Sequence, residues 1–426
     1  MQFSRPPIFS SLTLVATLAI GVGSATAQPS SITLREALVR AEQGNPDLAA
    51  QGLSTRAIEA LKEQARLRPN PILGVELENF VGTGPNQGFD GAVATIQVSQ
   101  TLERGDKRTQ RVVLADARSE VARRAWTLQL MQLRYDTAMA YVETLITARN
   151  ITLAQSVLDV SSDAAATIED AVIAGRQSAA ESARARATVV RAQVALNKAQ
   201  SEHEKRRWSL ALLWGEPQTE FSVANRLPPI ATLPDRSRIL TKIDAHARLD
   251  LQQSEITRRR VALDLQHATA KSEVKITGGV RFMNDGSDAA FVAGVSWPLA
   301  LRNSNQGNIK SAREELAAAE QSVAGIRNDL HHAFANTWQD LTAAHSAAQT
   351  LRRDALPAID EMVTITRQAH EQGQVPFIDV INATRERLEL EHDILKAEAD
   401  YARALVQLDT LTDPSLPLTH DLLASP

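Results

Sequence analysis

The chain has 426 residues, a net charge of −4 with both signs interleaved, and no cysteine. That charge pattern leaves no broad basic face for nucleic acid, and the missing thiols exclude disulfides, thiolate metal sites, a cysteine nucleophile and a lipid-modified N-terminal Cys. Aromatic residues make up only 4% of the chain while Ala is abundant, a composition suited to long helices packed closely side by side.

Residues 1–27 read as a secretory signal peptide: Arg5 supplies the positive start, residues 8–22 an apolar stretch, and Ala25-Thr26-Ala27 a small-residue cleavage site. No later stretch reaches the roughly 20 apolar residues of a membrane helix, so any membrane crossing must use strands. Residues 28–215 form a first structural repeat, opened by a short helical segment. Strands follow at about 71–80 and 92–102. In the first, Leu73, Val75 and Leu77 share one face and Gly74, Glu76 and Glu78 the other; in the second, Ala94, Ile96 and Val98 oppose Thr95, Gln97 and Ser99. Helices are expected over about 105–174 and 180–214, separated by a turn at Gly175. The proline-free first helix keeps apolar residues at steps of three and four, among them Leu128, Met131, Tyr135, Met139, Val142 and Ile146.

A Pro-rich segment at 216–239, holding Pro217, Pro228, Pro229 and Pro234, reads as a linker or belt rather than a helix. The second repeat, 240–413, sets out the same order. Its strands fall at about 273–283 and 289–299, and its helices at about 306–372, kinked at Pro357, and 377–411 after a turn at Gly373. Val274, Ile276, Gly278, Val280 and Phe282 alternate with Lys275, Thr277, Gly279 and Arg281; Phe291, Ala293, Val295 and Trp297 share a face opposite Ser296. Residues 414–426 are an irregular tail. Landmarks recur at an offset close to 200: Asp47 with Asp250, Val98 with Val295, Ala117 with Ala312, Gly175 with Gly373. So long a period marks a duplicated half-molecule rather than a solenoid.

Each strand spans about 10 residues, enough to cross a bilayer at a tilt with apolar side chains toward lipid and polar ones toward a lumen. Four strands cannot close a barrel, since the smallest have about eight. The chain must therefore oligomerise.

Three stretches, "ALVRAEQGNPDL" (37–48), "LRPNPILGVELEN" (67–79) and "VSQTLERGDKR" (98–108), together with the repeat order, resemble the TolC-like outer membrane factor family. The last two are most similar to its CzcC-like branch, which serves cation and heavy-metal efflux pumps. The resemblance implies a mainly α chain with a membrane β-barrel. Its trimer would stand a 12-stranded barrel on a 12-helix periplasmic α-barrel in the outer membrane of a Gram-negative bacterium. It also implies a homotrimer in contact with outer membrane lipid, partnered by a periplasmic adaptor (membrane fusion protein) and an inner-membrane RND-type transporter, with no cofactor. By the same resemblance, the segment after Gly373 lines a constriction at the tip. Asp379 takes the place of a first gate aspartate and Asn382 that of a second, with Glu181 at the matching place in the first repeat. Three Asp379 carboxylates around a narrow axis would repel one another and attract cations. The tip turns, Gly175, Arg176 and Ser178 with Gly373, Gln374 and Pro376, match the surface that meets the adaptor.

Of the nine histidines, His331 and His332 are adjacent and so point to different helix faces, and His203, His267, His345, His370 and His392 lack a second ligand at i+3 or i+4 apart from scattered carboxylates; no phosphate loop, nucleophile elbow or HExxH pair occurs. No metal site and no enzyme activity are expected. The leading reading is a passive trimeric outer-membrane channel of a tripartite efflux system, with metal cations as cargo. The alternatives are a duct for drugs, other organic compounds or type I secretion, and a secreted coiled-coil tether.

Overall fold

The computed structural model describes residues 30–412 apart from 90, 217–220, 224–226, 228 and 284–287. The signal peptide, the tail from 414 and most of the 284–288 connector lie outside the described residues. In chain order the elements are β1 (Ser30–Ile32), α1 (Leu34–Gly44), α2 (Pro46–Arg66), β2 (Ile72–Glu78), β3 (Val93–Leu102), α3 (Lys107–Ile173) and α4 (Ala179–Leu212). Then come β4 (Phe221–Val223), α5 (Arg236–Ile243), α6 (Ala247–Thr269), β5 (Val274–Met283), β6 (Asp288–Ser296), α7 (Gln306–Thr350), α8 (Leu356–Glu371) and α9 (Phe377–Thr412).

The 67 residues of α3 make a rod about 100 Å long at 1.5 Å per residue. Its return helix α4 has only 34 residues and so covers half of that length. The other half is covered by α2, which precedes the strands in sequence and abuts the end of α4. Asn45 makes the joint: its side-chain carbonyl accepts from the Leu48 N–H at 2.9 Å, capping α2, while its amide donates to the Leu213 carbonyl at 2.9 Å. Gly44 permits the contact, because a Cβ there would lie 2.4 Å from the Trp214 carbonyl oxygen. In the second repeat His246 is the matching cap, its Nδ1 accepting from the Arg248 N–H of α6 at 3.1 Å while its ring bonds the Thr410 backbone of α9. Both long helices start alike: Asp106 and Asn305 cap α3 and α7 at φ 60° and 63°, left-handed values that Asp and Asn tolerate better than other side chains.

Two expectations need correction. The 216–239 segment is more than a linker: β4 pairs in parallel with β1, matching Ser30 to Phe221 and Ile32 to Val223, and α5 begins at Arg236. Proline density marks where helices stop, but it cannot reveal a strand partner about 190 residues away in sequence. The helix expected over 306–372 is divided, α7 giving way to a π turn at Leu351–Ala355 before α8. Pro357 has no N–H and its ring would collide with the carbonyl four residues back, so the chain widens one turn ahead and Leu356 N–H bonds Leu351 O.

Bulky side chains concentrate at mid-length. One core gathers Ile32, Tyr141, Leu145, Leu210, Trp214, Phe221 and Val406, and a second gathers Ile243, Leu330, Phe334, Leu341, Tyr401 and Leu408. Each fully buried Leu or Phe stabilises by about 1.5–3 kcal/mol. The Tyr141 hydroxyl donates to the Ile32 carbonyl at 3.0 Å and His345 Nε2 bonds the Ala231 carbonyl at 3.0 Å, so each repeat ties the belt to its long helix. Burial pushes the Tyr141 hydroxyl up to about 12, so it stays a donor across the whole accessible pH range.

Candidate functional site

The four long strands form one antiparallel sheet in the order β2-β3-β5-β6, so the pairing of β3 with β5 joins the two repeats. Register makes the alternation continuous across the sheet. Leu73 faces Val98, Val75 faces Ile96, Ile96 faces Val280, and Val280 faces Phe291. These apolar side chains are bare: Val75 is 72% exposed, Val295 74% and Phe291 94%. On the opposite face Thr95 and Ser99 of the central strand β3 are buried, at 2% and 5%, while Glu76, Lys275 and Ser296 toward the outer strands and ends are exposed. The central polar residues are thus covered while the apolar row is bare, the reverse of a water-soluble sheet and the arrangement lipid demands.

That polar face is bonded across strands. Arg281 on β5 donates from Nε to Thr95 Oγ1 on β3 at 3.1 Å and from Nη2 to Glu78 Oε2 on β2 at 3.2 Å, while Ser99 and Thr277 hydroxyls lie 3.2 Å apart. Strands β2 and β6 each have one edge with no partner strand among the described residues.

At the far end of the helices the two turns are copies. Gly175 (φ 69°) and Gly373 (φ 73°) adopt left-handed conformations, and the next residues close matching six-residue bonds, Arg176 N–H to Ala171 O and Gln374 N–H to Ala369 O, both at 2.8 Å. Arg176, Ser178, Gln374 and Pro376 are all exposed there. Ser178 caps α4, its hydroxyl accepting from the Glu181 N–H at 3.3 Å.

The carboxylates differ in their surroundings. Glu181 pairs with Arg184 at 2.8 Å one turn on. Asp379, half-buried in the first turn of α9, makes no ion pair among the described residues, and the residue one turn on is the exposed Asn382. No hydrogen bond or ion pair joins Asp379 to Glu181 among the described residues. Two residues that sequence reasoning passed over shape the second turn: His370 Nδ1 bonds the Val375 carbonyl at 3.0 Å and its ring lies 5.3 Å from that of Phe377. Val172 and Ala179, their counterparts, leave the first turn without this brace. The i, i+7 spacing of His370 and Phe377 across a glycine turn was the available signal. Histidines elsewhere also serve local structure, as His203 Nδ1 with Thr147 Oγ1 at 3.0 Å.

The sequence family described as outer membrane efflux protein matches residues 37–216 and 245–412. The cobalt-zinc-cadmium resistance protein CzcC of Cupriavidus metallidurans is 23% identical over 83% of this chain and 83% of its own length. The nickel-cobalt-cadmium resistance protein NccC of Alcaligenes xylosoxydans xylosoxydans is 25% identical over 78% of this chain and 74% of its own. Among solved structures, CusC, described in terms of transmembrane channel formation, superposes with a TM-score of 0.73 at 15% identity over 90% of this chain and 92% of that one.

Proposed function

The chain belongs to the outer membrane efflux protein family, an outer membrane channel with a periplasmic helical extension, and from that premise we propose that it is the passive exit duct of a tripartite efflux system for metal cations. The observation that carries this reading is the four-stranded sheet, apolar and bare on one face, polar and bonded across strands on the other, with two edges unpaired among the described residues. Three copies joined edge to edge supply the 12 strands of a closed barrel, and their helices continue it as a tunnel. A duct of this kind catalyses nothing. An inner-membrane RND-type transporter supplies the energy and an adaptor, docked at the turns around Gly175 and Gly373, links the two. The metal cargo is supported by the metal-resistance names of the two relatives; a duct for organic compounds is the competing reading within the family.

Asp379 is the gate residue of this reading. Its carboxylate lacks the neutralising partner that Glu181 has, so three copies around the axis concentrate negative charge where cations must pass. Asn382 leaves the next layer uncharged. Purified protein in planar bilayers should conduct, and Asp379→Ala should leave the oligomer intact while weakening block by multivalent cations; unchanged block would remove Asp379 from the gate. Deletion in the host should sensitise it to cobalt, zinc or cadmium. Sensitivity to organic compounds alone would overturn the metal assignment and leave the duct standing.

A further inference from the structure

We propose that Arg104, Trp297, Leu299 and Leu301 form a binding site for an anionic phospholipid at the periplasmic rim of the sheet, an inference that rests on the membrane reading above. Four basic residues follow β3 in quick succession: Arg104, Lys107, Arg108 and Arg111. Arg111 pairs with Glu103, and Lys107 pairs with Glu273 at 3.0 Å, both on the helical side of the rim. Arg104 has no carboxylate among the described residues. Its guanidinium carbon lies instead 4.7 Å from the ring centre of Trp297.

Trp297 ends the lipid-facing row of β6, in line with Phe291, Ala293 and Val295, and is 55% exposed. Arg104 continues the matching row of β3 past the exposed Leu102, so the cation stands on the lipid side and not in the lumen. Beyond Trp297 the chain stays apolar and bare where a water-facing loop would be polar, with Leu299 at 70% and Leu301 at 86% exposure. An aromatic ring, a stacked cation and two leucines at the end of an apolar band match the two parts of a phospholipid. The guanidinium edge is free for two charge-assisted hydrogen bonds to a phosphodiester, its face being held by the indole. Acyl chain covers Trp297 and the leucines. Lys271 and Arg302 flank this rim in sequence, and neither has a carboxylate partner among the described residues, so the local field is positive and a headgroup with net negative charge is favoured over a zwitterion.

Trp297 can report its own occupant. The full-length protein is reconstituted in phosphatidylcholine vesicles doped with brominated phosphatidylglycerol or brominated phosphatidylcholine, and tryptophan quenching gives the relative affinity, with Trp297→Phe subtracting the other four tryptophans, which lie on or beside helices. Phosphatidylglycerol should quench preferentially. Arg104→Gln should lower that preference about fivefold, and Arg104→Lys should retain a good part of it. Equal quenching by both lipids in the parent protein, or an undiminished preference in Arg104→Gln, would overturn the site while leaving the barrel in its membrane. If neither lipid quenches Trp297, the sheet is not in lipid and the membrane reading falls together with the site.

Discussion

The two repeats share a plan and differ in stiffness and charge. The first raises an uninterrupted α3 and ends in a turn whose carboxylate, Glu181, is neutralised by Arg184. The second breaks its long helix at the 351–355 π turn, braces its turn with His370 and leaves Asp379 unpaired. Duplication thus preserved what the assembly needs twice, the strand faces, helix starts and glycine turns. It released what is needed once. The irregular helix and the lone carboxylate fall in the same repeat, so the gate proposed at Asp379 belongs to the repeat that departs from regular helix.

The sharpest way to break the comparison is to give the first repeat the second repeat's proline. Asp159 corresponds to Pro357, is exposed and sits in regular helix. Asp159→Pro should cost ~3 kcal/mol or more, read as a fall in the melting temperature of the purified protein, because α3 has no π turn to absorb the ring. A fall no larger than that of Asp159→Ala would mean that α3 bends as freely as its counterpart.

Next in size is the belt. Tyr141→Phe removes the donor from a buried Ile32 carbonyl and should cost about 1–3 kcal/mol. His345→Phe should cost less, since its contact with Ala231 is only partly buried. Equal losses would show that the two ties are equivalent. The glycine turns should instead behave as twins: Gly175→Ala and Gly373→Ala each meet open space, so each should cost only the left-handed backbone penalty, about 1 kcal/mol. Unequal costs would place a constraint on one turn that the other lacks.

The smallest effect depends on pH. The joint between α4 and α2 is capped by Asn45, which does not titrate, and the joint between α9 and α6 by His246. Burial, then the nearby Arg248, holds the His246 pKa below its ordinary 6.5, with the Thr410 backbone and Asp250 opposing. A depressed histidine contributes stability that is complete above the unfolded value and is lost as pH falls from about 6.5 through the folded value. His203, depressed by burial and Arg207, adds a loss of the same sign. Melting temperature should therefore decline below pH 6.5, and His246→Asn should reduce that slope without abolishing it. An unchanged slope would assign the acid sensitivity to other groups.

Much of the scaffold was legible because each signal was local. Alternation at period two in residues 73–77 and 274–282 follows from side chains that must satisfy lipid on one side and water on the other, whatever the strand's neighbours are. Gly175 and Gly373 announce turns because an αL residue after a helix favours glycine. Asp379 and Asn382 were singled out by resemblance, and Asn382 itself stands where the first repeat has Arg184. The His370 brace, the Arg281 bridge to Glu78 and the stacking of α4 on α2 were not read. Each depends on which segments meet in space, and composition does not encode that.

Sequence by itself supplied the strand faces, the glycine turns and the order of elements in each half, because these follow from local periodicity, and counting strands against the smallest closed barrel supplied the expectation of more than one copy. Only the tertiary structure decided that β3 pairs with β5, that helices 168 residues apart at Asn45 and Leu213 join end to end, and that the proline in the second long helix is absorbed by a π turn. Pairing and stacking are set by surfaces that become complementary only once the chain has folded, and a residue carries no mark of its partner until that partner arrives.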